Sequence, residues 1–278
     1  MTITTESPMD LPCAPAAGIP GLIELQSVEC PDTHAPNSVL GKVALILQAF
    51  SVDDDELTLS HLSRRTGVPK ASVHRLAQEL LELGFLERAG ASYRLGMRLF
   101  EIGARVPRTR ALRESLLPFM HALHSATRQT ILLTVLQGAE IVFVERVNSY
   151  GQAPSLSKLG GHVPLHCSAT GKVFMAFGPP ELFETAVRGG LTRLTPNSAA
   201  SPVRLRAQID RVRADGHAVE YEEVMQGFSS IAVPLYESSG RLIAGLSVTG
   251  TLQRTDIPRF TRSLLMTKEM IESSRAIA

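Results

Sequence analysis

Cysteine is scarce in this chain: its 278 residues hold three, Cys13, Cys30 and Cys167, far apart and without a C-x-x-C pair. That excludes a disulfide scaffold and a zinc ribbon, and it fits a reducing compartment. Long apolar runs are missing as well. No stretch approaches the roughly 18 to 20 uninterrupted apolar residues that span a bilayer. Residues 1–10 carry no Lys or Arg ahead of an apolar run, unlike a signal peptide. The expectation is a cytoplasmic protein without a membrane partner. An excess of one charge is also lacking, since the formal net charge is +1. A balanced sum excludes no nucleic-acid partner, because acidic and basic segments cancel in it. There is no internal repeat. Hydrophobic residues at 44% and charged residues at 20% exclude wholesale disorder and any fibrous class, and the length favours two domains over one.

What is present changes character along the chain. Residues 1–36 contain Pro8, Pro12, Pro15, Pro20, Pro31 and Pro36, a density that prevents long helices and central strands. They read as a flexible tail, with one short amphipathic piece over residues 21–28. Behind Ser38, a capping residue, Val39, Val43, Ile46, Leu47 and Phe50 recur at helical spacing. An acidic run at residues 53–56 reads as a solvated loop. A second helix opens at Leu59, Leu62 and Ser63 and stops at Thr66-Gly67. A third carries Pro69 in its first turn and an apolar face of Val73, Leu76, Leu80 and Leu81 before Gly84. Residues 85–88 and 93–95 read as a hairpin around Gly90. Helical stretches at 97–105, stopped by Pro107, and at about 108–127 read as a connector. Beyond them, strands at 131–136, 141–147, 218–221, 230–236 and 242–249 alternate with helices at 168–177, 180–187, 203–215 and 259–276, which indicates an α+β domain. The expected division is a tail (1–36), a winged helix-turn-helix domain (37–96), a helical connector (97–127) and a second domain (128–278).

Two helices around Gly67 followed by a short hairpin make a winged helix-turn-helix candidate, whose second helix enters the major groove. Its first half must then carry donors and small side chains, and Lys70, Ala71, Ser72, His74 and Arg75 occupy it. Between His61 and Arg75 the basic residues Arg64, Arg65, Lys70 and Arg75 occur without an Asp or Glu, which concentrates positive charge where phosphates lie. Arg88 and Arg94 flank the wing. The plainer alternative is a solvated basic helix over ordinary core positions.

The string Leu59-Ser60-His61-Leu62-Ser63-Arg64-Arg65-Thr66-Gly67-Val68-Pro69-Lys70-Ala71-Ser72-Val73-His74-Arg75-Leu76, with Leu83-Gly84-Phe85-Leu86-Glu87-Arg88 and Tyr93-Arg94-Leu95-Gly96 after it, resembles the amino-terminal domain of the IclR family of bacterial transcription regulators. Two further motifs match in order. They are Pro164-Leu165-His166-Cys167-Ser168-Ala169-Thr170-Gly171-Lys172, and Gly227-Phe228-Ser229-Ser230-Ile231-Ala232-Val233-Pro234 with Ala244-Gly245-Leu246-Ser247-Val248-Thr249-Gly250. The resemblance runs from about Ser38 to the end and leaves the proline-rich tail outside. It implies operator DNA as a partner, a dimer or tetramer, no cofactor, and a GAF- or profilin-like carboxy-terminal domain that binds a small metabolite, a carboxylate or an aromatic acid.

In that second domain Ser168 can cap a helix and leave the N–H groups of Ala169, Thr170 and Gly171 free for an anion. The loop is no phosphate-binding P-loop, because His166 and Val173 stand where that motif needs Gly and Ser or Thr. Ser247 and Thr249, two apart on a strand, face one side, and Leu246 and Val248 the other. The resemblance implies a pocket between these elements with Val163 and Phe228 as apolar walls and Glu220 and Ser230 as polar contacts. Other chemistry finds less support. The His162/His166 spacing needs a helix that Pro164 opposes, His121 and His124 have no neighbouring ligand in sequence, and Glu222 and Glu223, read as strand neighbours, point apart. No metal site and no catalytic residue is expected. Two other classes stay open: an enzyme built on Cys167, His166 and Ser247, recognised by turnover without DNA, and an assembly module that binds no effector.

Overall fold

The computed structural model describes residues 38–51, 53–148, 159–274 and 276–277. The expected tail with its short amphipathic piece, and Cys13 and Cys30, lie outside the described residues.

Ser38 caps α1 (Val39–Gln48) by accepting the Gly41 N–H at 3.0 Å. A two-residue strand, β1 (Leu57–Thr58), precedes α2 (Leu59–Thr66), whose cap is Thr58 accepting from the His61 N–H. α2 ends at Gly67, which sits at φ +68°, a left-handed conformation that β-carbon-bearing residues resist. α3 (Lys70–Glu82) begins after Pro69, so this proline stands just ahead of the helix and not in its first turn. β2 (Leu86–Ala89) and β3 (Ser92–Leu95) form the hairpin, and β1 adds to it in the order β1-β3-β2, all antiparallel. Ile46, Leu57, Leu62, Val73, Leu76, Leu80, Leu86 and Tyr93 make the core beneath. This is a winged helix-turn-helix.

α4 (Met97–Gly103) follows, and then α5 (Pro107–Thr127), which Pro107 opens at its first position. A proline fits there because the first N–H of a helix has no partner in any case. α5 is more than the expected connector. Leu112, Leu116, Met120 and Leu123 drive into the core of the second domain.

That domain is built on β4 (Thr130–Gln137), β5 (Glu140–Val147), β6 (His162–Pro164), β7 (Ala218–Tyr221), β8 (Phe228–Tyr236) and β9 (Leu242–Thr251). They pair antiparallel in the order β6-β5-β4-β9-β8-β7. One face carries α5 and α9 (Ile257–Ser273), whose Phe260, Leu264 and Ile271 meet Ile131, Leu133, Ile231, Val233, Leu246 and Val248. The other carries α6 (Ala169–Phe177), α7 (Glu181–Arg188) and α8 (Pro202–Asp215), whose Phe174, Leu182, Leu205 and Ile209 pack with Leu132, Ile141 and Phe143. The α+β class is therefore the one expected. β1 and β6 were not expected, being too short to show a period. β8 also starts two residues earlier, and β9 ends two residues later, than the apolar pattern suggests.

The seam between wing and α4 is tight. A β-carbon on Gly96 would lie 2.1 Å from the Gly84 carbonyl oxygen, a backbone atom that cannot swing aside. Gly96→Ala is expected to destabilise the helix-turn-helix domain by roughly 1–3 kcal/mol. Thermal unfolding followed with domain-specific probes would show its transition lowered and that of the second domain unchanged.

Candidate functional site

The exposed face of α3 carries Lys70, Ala71, His74 and Arg75, with Ser72 half-buried beside them, while Val73, Leu76, Ala77 and Leu80 face the core. The 3.6-residue period makes this division, so the donors at the start of α3 are displayed together. Arg64, at the end of α2, is exposed too. The arginines of this surface already have partners. Arg75 Nη1 contacts Glu79 Oε1 at 2.5 Å one turn along, and Arg94 Nη2 contacts Glu87 Oε2 at 2.8 Å across the wing. Arg88 lies 4.5 Å over the Tyr93 ring. Such solvent-exposed pairs are weak.

Arg65 differs in being held at more points. Its guanidinium grips both carboxylate oxygens of Asp54 and donates to the Ala49 carbonyl at 2.8 Å. Arg65 thus ties the loop after α1 to α2. Partial burial works to raise the Asp54 pKa, but hydrogen bonds from Arg65 and Ser51 outweigh it and hold the carboxyl at about 2. The acidic run at 53–56 is therefore not simply a solvated loop.

In the second domain a cavity of about 50 Å³ lies between the α6 start and the sheet. Ser168 caps α6 as expected, its hydroxyl accepting the Gly171 N–H at 3.0 Å. Val163, Ala169, Thr170, Glu220, Phe228, Ser230, Ser247 and Thr249 line the cavity together. Gly171 does not. Its N–H is taken by Ser168, and a β-carbon there would stand 2.2 Å from the Leu165 carbonyl oxygen, so Gly171 packs against backbone away from the cavity. The wall includes residues that sequence reading missed: Leu132, Ile141, Phe143, Ser168, Val224 and Met225. Strand register explains the polar side. Glu220, Ser230 and Thr249 are directly paired across β7, β8 and β9, and the Ser230 and Thr249 hydroxyls lie 2.9 Å apart.

Glu220 is the charged group in this wall, and it is only 2% exposed. Burial pushes its carboxyl up to about 7, against the hydrogen bonds from the Glu223 N–H and Ser230 and the attraction of Lys172. Its Oε2 accepts that N–H at 2.9 Å. Beneath the cavity, Lys172 and Glu223 form a buried ion pair. Sequence reading weighed Glu223 only as a neighbour of Glu222 and gave Lys172 no role, though a lysine followed directly by Val173-Phe174-Met175-Ala176-Phe177 is a visible anomaly. Glu222 and Glu223 are not strand neighbours, since they lie in the turn after β7 with Glu222 at φ +55°.

His166 and Cys167 do not form a nucleophile pair. His166 is buried with Nε2 2.8 Å from the Thr192 carbonyl, and its pKa is lowered, chiefly by burial. Cys167 is fully buried, and burial pushes its thiol up to about 11. His124 Nδ1 meets the Gln129 carbonyl and His162 Nδ1 meets Glu140 Oε2. Among the described residues no three His, Cys, Asp or Glu side chains gather as a metal would require. No helix among them is long and apolar enough to cross a membrane.

A winged helix with a displayed donor face, joined to a sheet domain with a mostly apolar cavity, defines a DNA-binding regulator with a sensor-type domain. The comparisons resolve the family. Residues 39–90 match the IclR helix-turn-helix domain, and residues 105–277 match the bacterial transcriptional regulator IclR C-terminal domain. The chain belongs to the IclR family. It is 35% identical to the HTH-type transcriptional regulator KdgR of Dickeya chrysanthemi over 77% of this chain and 70% of that protein. It is 30% identical to the Pca regulon regulatory protein of Pseudomonas putida over 81% of this chain and 77% of that one. An IclR homologue from Microbacterium hydrocarbonoxydans, solved as a complex with 4-hydroxybenzoate, superposes with a TM-score of 0.78 at 30% identity over 86% of this chain and 99% of that chain. The protein is thus an IclR-type DNA-binding transcription regulator.

The raised Glu220 pKa carries a stability consequence. In the unfolded chain the carboxyl ionises near its ordinary 4.5, and in the folded chain near 7, so stability falls as pH rises between those values. Glu220→Gln keeps an acceptor for the Glu223 N–H and removes the buried charge. At pH 8 the variant is expected to be more stable than the parent by up to about 3 kcal/mol, a gap that narrows toward pH 5. Denaturant melts at the two pH values measure it.

Proposed function

We propose that this cytoplasmic regulator is switched by a small organic acid, a carboxylate or an aromatic acid, bound in the cavity between α6 and the sheet. The observation that carries the reading is the make-up of that wall: apolar side chains from β4, β5 and β6 face converging hydroxyls of Ser230, Ser247 and Thr249 beside one carboxyl, Glu220. Pockets that select small ligands combine an apolar lining with a few placed polar groups in this way. The N–H groups of Ala169 and Thr170, at the start of α6, suit the carboxylate end, where the helix dipole favours an anion. The relative solved with 4-hydroxybenzoate supports an aromatic hydroxy acid as the first compound to try. The cavity holds only about 50 Å³, so such a ligand enters as neighbouring side chains give way.

On DNA, the working unit is a pair of chains, because one recognition helix covers only a half-site. α4 supports a homodimer: Met97 and Phe100, one turn apart, are 64% and 69% exposed, an apolar pair suited to a second copy. A homotetramer would follow by pairing dimers. Ligand occupancy shifts the population between placements of the recognition helices. Lys70, Ser72, His74 and Arg75 of α3 read the groove, with Ala71 allowing close approach, and Arg64, Arg88 and Arg94 hold phosphates.

Arg75→Ala is expected to weaken specific operator binding by roughly 10- to 100-fold, and Lys70→Ala to lower the slope of log affinity against log salt by about one. Arg65→Ala should instead lower the domain's melting temperature. Mobility shifts on DNA upstream of its own and neighbouring genes, titrated with 4-hydroxybenzoate and related acids, test the sensor. Changing Ser247 and Thr249 together to Val should abolish the ligand response and leave DNA binding intact, and a normal response would remove the cavity from consideration.

A further inference from the structure

Residues 222–227 cross from β7 to β8 and present Val224 and Met225 to the cavity. Much of their attachment to the rest of the domain runs through one residue, Glu223, which is 4% exposed, with further hydrogen bonds at Glu222 and Gly227. Its side-chain Oε1 accepts from Lys172 Nζ at 2.5 Å and from Gln208 Nε2 at 3.1 Å. Its N–H donates to Glu220 and its carbonyl accepts from the Ser198 hydroxyl at 2.8 Å. Its Oε2 is buried without a hydrogen-bond partner. Lys172 itself is 1% exposed on α6, a helix whose Val173, Phe174 and Met175 are locked in the core. One end of the pair is therefore rigid and the other belongs to a surface turn.

We propose that Lys172 is a positioning residue for the cavity: through its ion pair with Glu223 it holds residues 222–227 closed as a lid whose inner surface is Val224 and Met225. The inference rests on the reading of the cavity as the ligand site. The charged groups around Glu223 are Lys172 from α6 and Glu220 from β7, with the neutral amide of Gln208 from α8 and the buried His166 ring close to the pair. None of the others can replace the lysine. Breaking a buried ion pair at one end strands a charge, whereas replacing both ends by apolar side chains of similar volume is often neutral. With Lys172 removed, the Glu223 carboxylate reaches water by carrying the turn outward, a movement opposed by hydrogen bonds from the buried Thr195 and Ser198 hydroxyls, from Asn197, and from the Leu252 N–H to the Gly227 carbonyl. β8 and β9 keep their ladder.

Hydrogen exchange on the full-length protein without ligand tests this at pH 8. In Lys172→Met, amides of residues 222–228 are expected to exchange roughly a hundredfold faster or more, with peptides from 231–250 and from the helix-turn-helix domain unchanged. In Lys172→Met/Glu223→Met, protection of the turn should return, a rescue that a lysine needed only for general stability would not give. Turn protection unchanged in the single variant, acceleration spread evenly over the sheet, or a double variant as open as the single one would each overturn the proposal. Because no ligand is present, failure here is separate from failure of the cavity reading, which would appear as an unresponsive parent protein in the titrations above.

Discussion

Everything in the second domain depends on strands that must satisfy two sides at once. β9 lies in the middle of the sheet, and its side chains alternate: Leu246 and Val248 sink into the core under α5 and α9, while Ser247 and Thr249 turn to the cavity. Burial of each of the two apolar residues contributes about 1.5–3 kcal/mol. That stabilisation holds the hydroxyls in register with Ser230 and Glu220 across the neighbouring strands. The cavity wall is thus the reverse side of the folding core, and its precision is inherited from it. A one-residue slip of β9 would exchange the two sets of side chains.

The helix-turn-helix domain follows another logic. Its core is small, and its basic surface is restrained by carboxylates of its own: Glu79 for Arg75, Glu87 for Arg94 and Asp54 for Arg65. Two of these pairs are open to solvent, and in the third the carboxyl is sheltered and its guanidinium also supports a backbone carbonyl. Basic residues adjacent in sequence therefore have different tasks. Arg64 and Arg65 are both exposed, and Arg65 also ties the loop after α1 to α2.

The winged helix was legible because its signals are local: a capping serine, Gly67 at a left-handed turn, and a 3.6-residue apolar period on α3. The polar side of the cavity was legible through the two-residue alternation of β9 together with the family motifs. Of the apolar walls, Val163 and Phe228 were legible through the family motifs, but Leu132, Ile141 and Phe143 were not, since they lie on strands covered on both faces, where side chains that face a cavity look like those that face a core. Arg65 with Asp54 and Lys172 with Glu223 were out of reach for a different reason. Their partners lie 11 and 51 residues apart, and no periodicity links them. Gly171 was misjudged because a free N–H at a helix start and one taken by its own cap have the same sequence.

With the proposed phosphate contacts, the carboxylates beside Arg75 and Arg94 make association an exchange. When Arg75 or Arg94 turns to a phosphate, Glu79 or Glu87 is left as a bare anion close to the polyanion, so part of the attraction is cancelled at the moment of contact. Fewer cations are released from the duplex than the tally of arginines suggests. Random sequence, which offers phosphates alone, is then a poor competitor, and a site that also satisfies the face of α3 stands out more sharply from the genomic background.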